Sequence, residues 1–454
     1  MWNKVIFREY DIRGVYNQDY DLAFAEELGR AYYRLATKKL DKQDLTISLG
    51  HDARHSSPEI IAALAKGLKE SGAKIIQLNL ITTPISYFST FYMPNVDGAI
   101  MVTGSHNPPE YNGFKISIGK KTIMGEEIQN LRQIIERQDY ISGDGSEEHY
   151  DIFPEYVARY KEEFRDLSGI KVIADCGNGV AGVVLRKMYE ALNVDLEILY
   201  EKPDGDFPNH HPDPTVESNM EELKKQVLEK NADIGIGFDG DADRLGVISN
   251  TGRFLLGDEI MALITGQILK EQPKATIIGD VKCSDRLYHY IEERGGKAIM
   301  WKTGHSLIKN KVREEGAPFG GELSCHLFFA DRNYGYDDSL YAGLRLIELL
   351  KVSHKSIEDL LSDYPQAYTT PEIRLDTSEE KKSLIVDKIK EHYKSKKDVD
   401  LNMIDGVRAS FSDGWALVRP SNTQPVISMR FEAESEEALK RIQDEAMTIV
   451  NEYL

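Results

Sequence analysis

The chain has 454 residues, of which 41% are hydrophobic and 29% charged, and a formal net charge of −19; at roughly 100–200 residues per domain, this describes about three or four globular domains. The acidic balance argues against nucleic acid or anionic membranes as partners. No apolar run approaches the ~20 residues of a membrane span, and the N-terminal stretch through Glu9 lacks the apolar core of a signal peptide, so the expected location is cytoplasmic.

Three distant cysteines, Cys176, Cys283 and Cys325, form no CxxC pair. They read as small buried residues, not as disulfides or a zinc site.

In chain order, Leu45, Ile47 and Leu49 alternate as a strand. Ser57-Pro58 reads as an N-cap followed by proline at the first helical position. Ile61, Leu64 and Leu68 follow at helical spacing, and Gly72 ends the helix. Ile76, Leu78 and Leu80 alternate again, which makes a β-α-β unit and predicts a parallel sheet. The apolar strand Ala99–Val102 runs into Thr103-Gly104-Ser105-His106-Asn107-Pro108-Pro109, and then Tyr111-Asn112-Gly113-Phe114-Lys115. A serine at a strand end, in a loop stiffened by glycine and two prolines, suits a nucleophile or a phosphate carrier. A plain turn serine weighs equally. A Ser–His hydrolase is disfavoured: sequence neighbours usually point apart, and the Gly-x-Ser-x-Gly elbow is missing.

The strand Lys171–Asp175 leads into Gly177-Asn178-Gly179-Val180-Ala181-Gly182, a helix ending near Leu192 and the strand Leu196–Tyr200. With Glu197 downstream, this matches the dinucleotide-binding pattern. A nucleotide site would leave the phosphate and metal segments unexplained, so the glycines read as a tight βα turn. The strand Ile234–Phe238 enters Asp239-Gly240-Asp241-Ala242-Asp243-Arg244. Aspartates at alternate positions of an extended loop turn their carboxylates to one side, where they need a cation such as Mg²⁺. A calcium EF-hand fails, because Arg244 and Asn250 stand where it requires Gly and Glu.

Thr276–Val281, Asp285–Arg294 and Lys297–Trp301 repeat the strand–helix–strand plan, with Gly295-Gly296 closing the helix. Gly320-Gly321-Glu322-Leu323-Ser324-Cys325-His326 offers a carboxylate for paired sugar hydroxyls, with polar neighbours. From about Tyr368 the pattern becomes a small, mostly antiparallel α+β domain. Ser412-Asp413-Gly414 turns between Val407–Phe411 and Trp415–Val418. In Val426–Phe431, Ile427, Met429 and Phe431 face one way, Ser428 and Arg430 the other. Arg419-Pro420-Ser421-Asn422-Thr423-Gln424-Pro425 makes an anion cradle that Arg430 can join. The expected domains are 1–145, 146–252, 253–365 and 366–454.

Together with Tyr10-Asp11-Ile12-Arg13-Gly14 and Thr303-Gly304-His305-Ser306, these segments, in this order, resemble the α-D-phosphohexomutase superfamily. The closer resemblance is to its bacterial phosphomannomutase/phosphoglucomutase branch, over essentially the whole chain. It implies three α/β domains with mixed sheets and a C-terminal α+β, TATA-binding-protein-like domain around a central cleft. It also implies reversible phosphoryl transfer between the 1- and 6-positions of mannose or glucose phosphate, through a phosphoserine and a hexose 1,6-bisphosphate.

In that scheme Ser105 is the phosphoserine, and Ser105, Asp239, Asp241 and Asp243 hold Mg²⁺. Lys115, Arg244 and His305 join Ser105 as catalytic residues. Tyr10, Arg13, Lys282, Glu322, Ser324, His326, Arg419, Ser421, Asn422 and Thr423 bind substrate. The expected partners are small hexose phosphates, with glucose or mannose 1,6-bisphosphate as activator, and the expected state is a monomer or weak dimer. Two departures stand out: Cys325 and Ala242 occupy positions where relatives commonly carry glycine. Gly-Glu-Leu-Ser favours glucose and mannose phosphates and ranks glucosamine phosphate second. A phosphatase, a dehydrogenase and a sugar-phosphate sensor are the other classes, and the intact aspartate loop argues against the sensor.

Overall fold

Alternation at Leu45, Ile47 and Leu49 becomes the buried strand Thr46–His51, which pairs in parallel with Lys74–Leu80 on one side and Gly98–Val102 on the other. The computed structural model describes residues 2–421 and 425–454. Tyr111–Ile118 and Ile12–Val15 continue this first sheet antiparallel, so it is mixed. Ser146–His149 extends its parallel side, beyond Lys74–Leu80. The helix Ser57–Glu70 ends before Gly72, whose φ is +102°. Ser57 is not its cap: the hydroxyl instead donates to Asp52 Oδ1 at 2.6 Å, and Ser56 holds the cap position.

The second sheet runs Phe254–Leu255, Leu245–Ser249, Ile234–Phe238, Lys171–Asp175, Asp195–Leu199, and its last three strands are parallel. The third runs Lys297–Trp301, Thr276–Asp280, Phe319–Gly321, Leu327–Phe329, parallel except for the last strand. In the fourth, Val426–Ala433 and Gly414–Pro420 are antiparallel neighbours at the centre, and helices Glu379–Lys394 and Glu436–Tyr453 pack against the sheet. All of Val426–Ala433 is buried. Ile427, Met429 and Phe431 face those helices, whereas Arg430 on the polar side is covered by the third unit, through Asp258 Oδ2 at 2.8 Å and the Lys282 carbonyl at 2.6 Å.

The hydrophobic cores distinguish these units. One continuous core runs from Ile76–Met101 of the first unit through the second and third, as far as Tyr364. The fourth has its own core and meets the third at a seam of Val281, Trp415 and Leu417. Polar bonds reinforce that seam: Arg408 reaches Asp285 at 2.7 Å and lies 3.7 Å over the Trp415 ring. Among the described residues no helix is long and apolar enough to cross a membrane.

Candidate active site

The candidate loops leave the carboxyl ends of strands, where open α/β sheets place their ligands. Ser105 follows Gly98–Val102, Asp239 follows Ile234–Phe238, Lys282 follows Thr276–Asp280, His305 follows Lys297–Trp301, and Glu322 follows Phe319–Gly321. They open onto one cavity of about 680 Å³. Its described lining includes Tyr10, Arg13, Ser105, Lys115, Arg244, Lys282, His305, Glu322, Ser324, His326, Arg419 and Ser421. Asn422 and Thr423 lie outside the described residues. Eight Arg and Lys side chains face five carboxylates along this lining. The acidic protein thus carries a locally basic cleft, as binding a phosphate ester requires.

Ser105 adopts a left-handed backbone, φ 51°, that its surroundings hold in place. Its N–H donates to Thr103 Oγ1 at 2.8 Å, and its carbonyl accepts from Arg54 Nη2 at 2.8 Å. Buried Arg54 also bonds the carbonyls of Asn107 and Tyr111, and Asp52 ties Arg54 Nε, Thr103 Oγ1 and Gly104 N–H together. Asp52 and Arg54 belong to none of the segments that stand out in the sequence. A signal was there, in paired charges directly after a buried strand. Gly240 brings the aspartate loop against the serine loop: a Cβ on it would lie 2.4 Å from the Ser105 carbonyl oxygen. Ser105 Oγ then sits 3.2 Å from Asp239 Oδ2. It also sits 3.2 Å from His106 Nδ1, contrary to the expectation that these neighbours point apart; the left-handed turn at Ser105 swings the two side chains together.

The aspartate loop is a tight turn and not the extended segment expected. Ala242 is left-handed, φ 61°, and its N–H bonds the Asp239 carbonyl at 3.1 Å. Asp239 Oδ1 accepts from the N–H groups of Asp243 and Arg244 at 3.0 and 3.1 Å. Asp241 Oδ2 accepts from Thr83 Oγ1 at 2.6 Å and Lys115 Nζ at 2.7 Å, and Lys115 also bonds Asp243. All three carboxylates are fully buried and offer oxygens within 4.8 Å of one another, while Oδ1 of Asp241 and of Asp243 has no hydrogen-bond partner among the described residues. Burial, and then Asp241 and Asp243, push the Asp239 carboxyl well above the usual carboxylate range. Hard oxygen donors, unpartnered lone pairs and mutual repulsion fit a divalent cation such as Mg²⁺. Burial works against the Lys115 charge, but Asp241 and Asp243 outweigh it and keep the ammonium charged.

Glu322 is buried and accepts from Gly304 N–H at 2.6 Å; burial, helped by Asp280, raises its carboxyl against the opposing pull of His326 and Lys282. Cys325 beside it is left-handed too, φ 63°, with its thiol buried. Both departures from glycine therefore fall where glycine is the unstrained choice. Burial, then Lys309, hold the His305 imidazole well below its usual range and so neutral. Lys282 reaches Glu372 at 3.1 Å, and Arg419 is forked on Asp405 at 3.0 Å, the same carboxylate that accepts Thr303 N–H. Tyr10 donates to the Thr303 carbonyl at 2.6 Å, and Arg13 bonds Asn107 Oδ1 at 2.8 Å. Glu372 and Asp405, like Asp213 on the lining, escaped sequence reasoning, because lone acids in loops carry no pattern.

The glycines of Gly177–Gly182 serve packing: Gly179 abuts Gly240 of the aspartate loop, and a Cβ on Gly182 would overlap the Glu201 carbonyl at 1.8 Å. Four family models cover the chain, described as phosphoglucomutase/phosphomannomutase alpha/beta/alpha domain I over residues 4–142, domain II over 154–252, domain III over 256–368, and the C-terminal domain over 372–449. The chain belongs to the phosphoglucomutase/phosphomannomutase family. It is 41% identical to the phosphomannomutase/phosphoglucomutase of Pseudomonas aeruginosa over 437 residues, 96% of this chain and 93% of that one. It is 38% identical to the phosphoglucomutase of Neisseria gonorrhoeae, covering 98% and 96%. A crystal structure of a phosphoglucomutase/phosphomannomutase family protein from Burkholderia thailandensis matches with a TM-score of 0.91 at 39% identity, covering 100% and 98%. Membership in this family carries phosphohexomutase activity, the interconversion of hexose phosphates by an isomerase.

Proposed function

We propose that the cleft moves a phosphoryl group between the 1- and 6-positions of glucose and mannose phosphates, with Ser105 as the carrier. The carrying observation is Ser105 Oγ, 3.2 Å from Asp239 Oδ2, at the floor of a cation-rich cleft in a protein of net charge −19. Phosphoryl transfer asks chiefly for alignment and for neutralisation of the equatorial oxygens. Asp52 and Arg54 align the serine, and Lys115 and Arg244 supply fixed positive charge. Mg²⁺ held by Asp239, Asp241 and Asp243 would add Lewis-acid charge stabilisation. Glu322 and Ser324 accept the sugar hydroxyls, and Arg419, Ser421, Asn422 and Thr423 take the phosphate that is not moving. A sugar monophosphate accepts the group from phospho-Ser105, the resulting 1,6-bisphosphate turns over, and its other phosphate returns to the serine.

The test is a coupled assay on glucose, mannose and glucosamine 1-phosphates, with intact-mass analysis after incubation with glucose 1,6-bisphosphate. The expected result is one added phosphoryl group on the Ser105 peptide and loss of at least about 1,000-fold in turnover in Ser105→Ala. Steady release of inorganic phosphate, a phosphoryl group elsewhere, or a tenfold preference for glucosamine phosphate, about 1.4 kcal/mol, overturns the reading.

A further inference from the structure

One buried carboxylate behind the cleft wall has no part in that scheme. Asp337 is fully buried, directly before Asp338, which caps the helix Ser339–Ser353. An antiparallel bridge pairs Asp337 with Phe328, two residues past His326. Asp337 Oδ1 accepts from Lys309 Nζ at 2.8 Å. Its Oδ2 lies 2.9 Å from His326 Nδ1 and 3.9 Å from His305 Nδ1. The two imidazoles stack with ring centroids 5.4 Å apart, and both line the cavity. A single carboxylate therefore backs both rings from the side away from the cleft.

The partners of His326 decide where its proton sits. Arg244 can only donate, and its Nε lies 2.9 Å from His326 Nε2. Nε2 must therefore offer a lone pair, which puts the ring proton on Nδ1. That nitrogen faces two acceptors, Asp337 Oδ2 at 2.9 Å and Asp243 Oδ1 at 3.6 Å. The N–H direction and Oδ2 are not aligned as a finished hydrogen bond.

We propose that Asp337 is a positioning residue: it fixes His326 with its proton on Nδ1, and so keeps the Nε2 lone pair turned into the cleft, where it accepts from a sugar hydroxyl once Arg244 engages a phosphate. The proposal rests on the mutase reading above. It follows the logic by which a buried carboxylate orients an imidazole in other active sites. Lys309 holds the other oxygen of Asp337, which leaves Oδ2 to the imidazoles. Asp337 touches neither the cavity nor the serine, so its effect passes through the rings.

The test combines nitrogen NMR with a double-mutant cycle. In wild-type protein labelled with ¹⁵N-histidine, and with the signal of His326 assigned through His326→Gln, His326 should show a protonated Nδ1 and an unprotonated Nε2. In Asp337→Asn the amide can present a donor to Nδ1, and the pattern should become mixed or reversed. Turnover of that variant should fall about 100-fold or more, with KM changed less than about threefold. In a His326→Gln background the same substitution should cost less than about threefold further, because the two residues act as one unit. A proton on Nε2 in the wild-type protein overturns the proposal, and so does an Asp337→Asn penalty of the same size in both backgrounds. If Asp337→Asn does not fold, the wild-type tautomer decides alone. A wild-type protein without mutase turnover would instead sink the function reading, which separates the two failures.

Discussion

At the serine end of the cleft, Asp241 and Asp243 share Lys115 and each keeps an Oδ1 without a hydrogen-bond partner among the described residues. At the opposite end, Arg419 is already forked on Asp405 and Lys282 is held by Glu372. The first end has anionic oxygen to spare and favours a cation. The second has its cations matched in advance, so an arriving phosphate must exchange with a carboxylate. On the function proposed above, binding there would be a difference between two ion pairs, which would temper affinity and let product leave. The mechanical setting differs as well. The serine and aspartate loops stand on the core that runs through the first three units, whereas the C-terminal unit keeps a separate core and joins the third unit through a small apolar seam that polar bonds reinforce.

The sharpest way to break this comparison is Asp241→Ala. We expect Mg²⁺-dependent turnover to fall by about 100-fold or more, and stability by about 1–3 kcal/mol because Thr83 and Lys115 lose a buried acceptor. Full activity in excess chelator would show that the spare oxygens serve no cation. Next, Arg419→Ala should raise KM for glucose 1-phosphate about 10- to 100-fold with a smaller change in kcat, as expected for a grip that binds ground and transition states alike. A fall confined to kcat would place Arg419 with the serine end instead.

Glu372 sharpens the comparison through pH. Burial opposes its ionisation, but Lys282 and then the Ser428 hydroxyl outweigh it, lowering the carboxyl from 4.5 to about 2. A depressed carboxylate stabilises the fold above its unfolded value and loses that contribution as pH falls through the folded one. Wild type should therefore exceed Glu372→Gln by roughly 2 kcal/mol above pH 5 in urea unfolding, with the gap closing towards pH 2. A gap that does not change with pH would deny the pairing.

The smallest effect is expected at Ala242→Gly. Relief of the left-handed backbone and loss of a buried methyl nearly cancel, leaving stability within about 0.5 kcal/mol of wild type. Cys325→Gly should cost about 1–2 kcal/mol, because a larger buried side chain is lost against the same relief. Thermal melts of the two variants distinguish these outcomes.

Much of this was legible in the residues themselves. Strands Lys171–Asp175, Lys297–Trp301 and Val407–Phe411 fall where alternation or an apolar run between turn residues put them, because the pattern that marks a strand is local to the chain. The serine loop, the aspartate loop and the Gly-Glu-Leu-Ser loop were visible for the same reason: each is a run of special residues directly after a strand. What needed tertiary structure was pairing across long separations. Arg54 beneath the Ser105 carbonyl, Thr83 on Asp241, Asp405 on Arg419 and Asp337 behind His326 each join residues that no spacing relates. Nor did the sequence disclose that Ser105, Ala242 and Cys325 all take left-handed backbones. Local pattern reports what a residue does with its neighbours in the chain. A buried charge is satisfied by whichever element folding brings against it, and only the folded chain decides which.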